Sequence, residues 1–419
     1  MSAERTHRPW GTDGQHAWKY FGTRRAVMRL SDGAWYLSDV PGIQPEKFPS
    51  ISPRKRKPAE RLDIVLHLTN ACNLACKYCY ARDAGAELRD IRPSIIKDLI
   101  QAAGNSSFTH LNIIFHGGEP LARWPLIENI VETARNSSSK RFSFALQTNG
   151  VGLNSNQASF IKKHAIHLSI SLDGSRDTHD KYRFHNDGAG SYDKVIQSVR
   201  LLNQEGIPFG INTVLHADSD PDSYLKTLTQ HSIRNINLTP IGYPAEASLP
   251  KAANPVKKTL ANYTAIISKI VDFNQSNTAR IIEMGALSKI AAISGKGGFS
   301  KCDNFPCHKN GNLLMIDQDG NLFPCEEWYG QPKAAIGNIS AQGSLDPGTD
   351  TAAFHDSLSR KVSDFCSRCI WTNFCGRICP KYFAVGDHSL CEFNYGVFDF
   401  LFSLAAQGRI HLLTHKRRQ

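Results

Sequence analysis

The sequence predicts an α/β fold, a partial (β/α)6 barrel with a C-terminal cysteine-rich domain. Three observations predict it. Six strand-like apolar runs alternate with segments of helical periodicity between residues 61 and 285. Their connections are long enough for the crossovers that parallel strands require. Eight of the eleven cysteines then fall within residues 286–400, where strand signals are short and turns frequent. Six repeats are fewer than the eight that close a barrel, so the expectation is a TIM-like barrel left incomplete.

Residues 1–60 read as an N-terminal extension. Ala26–Leu30 and Ala34–Leu37 flank the turn Ser31-Asp32-Gly33, which predicts a small hairpin. Pro41, Pro45, Pro49, Pro53 and Pro58 then punctuate a linker. The extension seats itself against the barrel in the plainest expectation; its hairpin edge is the alternative, as a strand for a leader peptide. The barrel strands are expected at Leu62–Leu68, Leu111–Phe115, Phe142–Thr148, His167–Leu172, Phe209–Leu215 and Asn235–Thr239. Trp124–Arg135 and Tyr192–Gln204 carry the helical period between them. In residues 286–400, Leu313–Ile316 and Leu322–Phe323 flank Asp317-Gln318-Asp319-Gly320-Asn321 and predict a second hairpin. That acidic string lacks the length and terminal glutamate of a calcium loop. Residues 401–419 read as a basic tail.

The chain has 419 residues and a net charge of +11, from 49 basic and 38 acidic side chains. Part of the excess lies in Arg54-Lys55-Arg56-Lys57 and Lys416-Arg417-Arg418, which read as solvated linker and tail. Nucleic-acid binding would rest on charge alone, so it is not expected. No apolar run reaches the roughly 18 residues of a membrane span, and the N-terminus lacks a secretion signal, so a cytoplasmic protein away from membranes is expected. Thiols there stay reduced, and an odd count resists full pairing, which favours metal ligation over disulfides.

Directly after the first barrel strand comes Thr69-Asn70-Ala71-Cys72-Asn73-Leu74-Ala75-Cys76-Lys77-Tyr78-Cys79-Tyr80, a C-x3-C-x2-C spacing. Three thiolates on one loop suit three irons of a 4Fe–4S cube, with the fourth iron open to a small chelating molecule. A zinc knuckle and a redox thiol group are the alternatives. The motif resembles the signature of radical S-adenosylmethionine (SAM) enzymes, with Tyr78 at the family's aromatic position. The resemblance implies that SAM chelates the open iron and is cleaved by one electron to methionine and a 5′-deoxyadenosyl radical. His116-Gly117-Gly118-Glu119-Pro120, after the second strand, resembles the family's GGEP motif, which implies that its backbone and Glu119 receive the SAM amino group. Thr148 and Asn149, in Gln147-Thr148-Asn149-Gly150, end the third strand as in related enzymes. Ser171 and Arg183 follow the fourth, and the resemblance assigns them to the SAM ribose and carboxylate. Arginine suits a carboxylate because its fork matches both oxygens.

Cys366, Cys369, Cys375 and Cys379 read C-x2-C-x5-C-x3-C, and Cys307 precedes Gly320-x4-Cys325 by twelve residues. With Cys391 and Cys302 this field resembles the SPASM domain, an auxiliary-cluster module of peptide- and protein-modifying radical SAM enzymes. The resemblance implies one auxiliary cluster on Cys302, Cys307, Cys325 and Cys379. It implies a second on Cys366, Cys369, Cys375 and Cys391, making three 4Fe–4S clusters in all. Two zinc sites remain the alternative. A flavodoxin- or ferredoxin-type electron donor is implied too.

SPASM enzymes act mostly on peptide or protein substrates. Anaerobic sulfatase maturases usually have glutamine before GGEP and a proton-accepting aspartate after the third auxiliary cysteine; this chain has His116 and Glu326 there. Maturases of ribosomally made peptides often carry histidine before GGEP, so that class is the first expectation. Glu326 is the candidate base, or else a surface carboxylate. Formylglycine-forming sulfatase maturation and a non-enzymatic iron–sulfur carrier or sensor are the alternatives. An open iron with a SAM pocket argues against the carrier.

Overall fold

The computed structural model describes residues 10–31, 33–39, 43–44, 47, 60–80, 87–136, 140–241, 255–294, 312–345, 352–377 and 379–414. The five linker prolines, both basic tracts, Cys302 and Cys307 lie outside these residues.

Strands β5 (Arg61–His67), β6 (His110–His116), β7 (Arg141–Thr148), β8 (His167–Ser171), β9 (Phe209–Leu215) and β10 (Asn235–Pro240) are the six expected strands. They pair in parallel in sequence order. Helices α1 (Pro93–Asn105), α2 (Trp124–Asn136), α3 (Ser155–His164), α4 (Arg176–Tyr182), α5 (Tyr192–Gln204) and α6 (Pro221–Gln230) cross between them. α2 buries Ile127, Ile130, Val131 and Ala134, a stripe at three- and four-residue spacing that faces the sheet. Asn154 and Gln157 form a capping box that sets the start of α3.

The sheet extends past both ends of this series. After α7 (Pro255–Ser276), β11 (Ile282–Glu283) adds in parallel to β10 and leads into α8 (Met284–Ile293). On the other edge β12 (Leu313–Ile316) lies parallel to β5, followed by antiparallel β13 (Asn321–Phe323) and β14 (Gly337–Asn338). The predicted second hairpin is therefore a continuation of the barrel sheet. The Asp317 carboxylate binds its turn, accepting from the Asp319 and Asn321 amides at 2.9 Å each.

Alternation sorts the two faces. Leu62, Ile64, Leu66, Leu111, Ile113 and Phe115 belong to the main core beneath the helices. Val65 and Ile114 point the other way and pack with Met315, Phe323 and Trp328. The inner face is thus closed by residues of the cysteine-rich part.

The N-terminal segment is larger than a hairpin. β1 (Gly11–Thr12), β2 (His16–Phe21), β3 (Arg24–Arg29) and β4 (Trp35–Ser38) form an antiparallel sheet in that order. It packs on α12 (Ser389–Ala406), not chiefly on the barrel as expected. Trp10 sits edge-on to Trp371 at 5.0 Å and Phe402 at 5.8 Å. Lys19 Nζ meets Asp399 at 2.7 Å. The expected basic tail is also corrected. α12 runs on to Ala406 with Leu401 and Phe402 fully buried, and Leu412 and Leu413 join the core beyond it. Apolar spacing continues past residue 400, which a charge count over the last residues hides. No helix among the described residues is long and apolar enough to cross a membrane.

Candidate active site

The cysteine loop leaves the C-terminal end of β5 and is held from three sides. Thr69, fully buried, donates its hydroxyl to Asp90 at 2.7 Å. The Ala75 and Lys77 amides donate to the carbonyls of Phe184 and Tyr182 at 2.7 and 3.0 Å. The Gly118 and Glu119 amides donate to the carbonyls of Thr69 and Ala71 at 2.7 and 2.8 Å. The two glycines make this last approach possible. A Cβ on Gly118 would lie 2.2 Å from the Ala71 carbonyl oxygen; on Gly117, at φ +136°, it would lie 2.5 Å from that of Thr69. These two amides are therefore engaged by the cysteine loop itself.

Cys72, Cys76 and Cys79 are all partly exposed at the mouth of the sheet. The Leu74 amide points at Cys72 Sγ at 3.4 Å, and Arg183 Nη1 stands 4.0 Å from Cys76 Sγ. Burial pushes the Cys76 thiol up to about 12, opposed by Arg183 and reinforced by its two neighbouring cysteines. Without a metal the Cys76 thiol keeps its proton; iron would displace it. Among the described residues no three His, Cys, Asp or Glu side chains converge as on a single ion. A cube asks for something else, since each thiolate binds a different iron. Three mutually interacting thiols on one loop beside a fixed cation fit that group.

Glu119 is 1% exposed. It accepts from Thr148 Oγ1 at 2.6 Å, the Asn149 amide at 2.7 Å and the Leu121 amide at 2.9 Å. Burial nonetheless pushes its carboxyl up to about 7. Pro120 opens the short turn that supplies the Leu121 donor. Asn149 Nδ2 bonds Asn73 of the cysteine loop at 2.7 Å, so Glu119, Thr148 and Asn149 form one unit with it.

Ser171 ends β8, half-buried. Two residues on, Asp173 is the group the sequence did not single out. Its Oδ2 receives Arg183 Nε at 2.9 Å and the Tyr78 hydroxyl. Its Oδ1 accepts the Val214 amide at 3.0 Å. Burial alone would raise the Asp173 carboxyl, but Arg183 overrides it and holds it well below the usual carboxylate range. The Asp173 amide donates to His179 Nδ1 at 3.1 Å, and His179 Nε2 lies 2.9 Å from Ser191 Oγ, which donates to the Arg183 carbonyl. The signal was available: a buried arginine requires a counter-charge.

The distal cysteines separate into two groups. Cys325 and Cys379 act on each other electrostatically. Cys369 acts with Cys366, and Cys375 and Cys391 act with Cys369. Cys302 and Cys307, the remaining members of the two ligand sets that the resemblance implies, lie outside the described residues. Glu326 opens a short turn after Cys325, and its carboxylate acts on His116.

Residues 66–229 match the Radical SAM superfamily. A cysteine-type anaerobic sulfatase-maturating enzyme of Clostridium novyi is 25% identical over 326 residues, covering 74% of this chain and 85% of its own. A solved structure described as native anSMEcpe with bound AdoMet and Cp18Cys peptide aligns with TM-score 0.70 at 20% identity, over 83% of this chain and 98% of that one. Streptococcus suis SuiB bound to precursor peptide SuiA aligns with TM-score 0.54 at 18% identity, over 76% and 72%. Both likenesses show a shared fold. The matched segment spans the cysteine loop, the Glu119 unit and the Asp173–Arg183 pair, and this part of the chain is accordingly a radical SAM domain.

Proposed function

We propose that this enzyme oxidises a residue of a peptide, forming a crosslink or related product in a ribosomally made substrate. The carrying observation is the cysteine loop opening beside a polar inner rim that holds His116 and Glu326. Cys72, Cys76 and Cys79 would hold the first cluster, with Glu119, Thr148, Asn149, Ser171 and Arg183 as the SAM-facing residues. The groups of Cys325 with Cys379, and of Cys366 with Cys369, Cys375 and Cys391, would hold two further clusters. Residues 61–285 would be the catalytic core and 286–400 the auxiliary module. When bound, these groups supply a 5′-deoxyadenosyl radical for hydrogen removal and an outlet for a second electron.

The chain's own residues do the rest. Gly117 and Gly118 lock the cysteine loop to the sheet. Tyr78 and Asp173 orient Arg183, whose Nη1 stands 4.0 Å from Cys76 Sγ. Glu326 stands on the inner side as the acceptor for the proton released on oxidation.

A second reading, formylglycine formation in a sulfatase, is favoured by the similarity to sulfatase-maturating enzymes. Anaerobic incubation with SAM and dithionite tests both, using a precursor peptide encoded beside the gene and a cysteine-containing sulfatase peptide. Loss of two hydrogens from the precursor supports the first reading. Replacement of sulfur by an aldehyde oxygen, only in the sulfatase peptide, supports the second. Cys369→Ala should still cleave SAM but yield little product.

A further inference from the structure

Three buried polar atoms on the inner rim have no hydrogen-bond partner among the described residues: His67 Nε2, His116 Nδ1 and Glu326 Oε2. His67 and His116 end β5 and β6 as a register pair, rings 5.8 Å apart. Gln318, just past β12, places Nε2 2.9 Å from His67 Nδ1. Gln147, near the end of β7, hydrogen-bonds His116 from the opposite side. Four neighbouring strands thus set Gln318, His67, His116 and Gln147 in a row.

The row has a direction. Gln318 is placed with Oε1 accepting the Tyr329 hydroxyl at 3.3 Å and Nε2 facing His67, an orientation in which His67 Nδ1 accepts. The His67 proton then sits on Nε2. That N–H belongs to a fully buried side chain, which burial keeps neutral by pushing its pKa well down. Tyr329 stacks on the imidazole at 4.1 Å and fixes its plane. Buried donors without acceptors are costly and rare in folded proteins. Here the unpartnered His67 neighbours His116, on which the unpartnered Glu326 carboxylate acts.

We propose that His67 Nε2–H, His116 Nδ1 and Glu326 Oε2 line the subsite for the side chain of the substrate residue. The group they select both accepts and donates a hydrogen bond, as a hydroxyl or carboxamide does. The subsite rests on the peptide-oxidation reading above. An aliphatic side chain would leave all three atoms unpaired, whereas a hydroxyl or carboxamide accepts from His67 and donates to Glu326. Selectivity then comes from the penalty on the wrong residue.

The test uses full-length, anaerobically reconstituted enzyme with SAM. Four probes are compared by saturation-transfer NMR: the N-acetyl amides of serine, asparagine, alanine and valine. The serine and asparagine probes should bind at least about tenfold tighter than the other two. His67→Phe should abolish the preference, and His67→Gln, which keeps an N–H donor, should retain part of it. Equal binding of all four probes to wild type, or binding of none, overturns the subsite. So does a preference that survives in folded His67→Phe. Should that variant fail to fold, the wild-type comparison decides alone. Peptide oxidation without a probe preference removes the subsite and leaves the functional reading; a preference without any peptide oxidised does the reverse.

Discussion

Asp173 and Arg183 show how a residue pair sets this site. Arg183 is 9% exposed and Asp173 1%, so each ion depends on the other. Asp173→Asn leaves a buried guanidinium without its counter-charge, at a cost of about 3–5 kcal/mol, to be read from denaturant unfolding. The sign with pH follows from the depressed carboxyl. Its contribution is complete above the ordinary aspartate value of about 3.9 and is lost as pH falls below it. Wild type should therefore approach Asp173→Asn in stability as the solution is acidified. The sequence made Arg183 legible as a cation at a motif position. It did not reveal Asp173 as its partner, because an aspartate before glycine also reads as an ordinary turn.

At the scale of elements, the six barrel strands were readable almost to the residue. β5 and β6 carry apolar runs buried on both faces, while β7 to β10 alternate buried residues with half-buried or exposed ones, and both patterns read as strand. The N-terminal β1 and β2 were not, because β1 is two residues long and Lys19, though buried, interrupts the apolar pattern of β2. The role of the two glycines was only half legible. Their spacing announced close approach, but the approaching backbone is the cysteine loop. Gly118→Ala should displace that loop, since its Cβ meets backbone and not a movable side chain. The expected outcome is a chain with native far-ultraviolet circular dichroism whose reconstituted iron falls by about four per chain, one cube.

Across the whole molecule, contacts between the chain's beginning and end tie the N-terminal sheet to α12. Lys19 and Asp399 are 380 residues apart in sequence, and Trp10 Nε1 donates to the same carboxylate at 2.9 Å. No local pattern could show this. Asp399→Ala should cost about 1–3 kcal/mol, less than a fully buried pair because Asp399 is partly exposed, and differential unfolding of the two variants checks it. The sorting of cysteines into two groups was likewise implied by family resemblance, because spacing alone allows several pairings. Everything functional depends on the loop of Cys72, Cys76 and Cys79 gripping a cluster with one iron left for SAM. Electron paramagnetic resonance of the dithionite-reduced, reconstituted enzyme tests this most directly. Added SAM should change the spectrum of wild type and leave that of Cys76→Ala unchanged, with 5′-deoxyadenosine formed only by wild type. A wild-type spectrum indifferent to SAM, or equal 5′-deoxyadenosine from both proteins, would contradict the account.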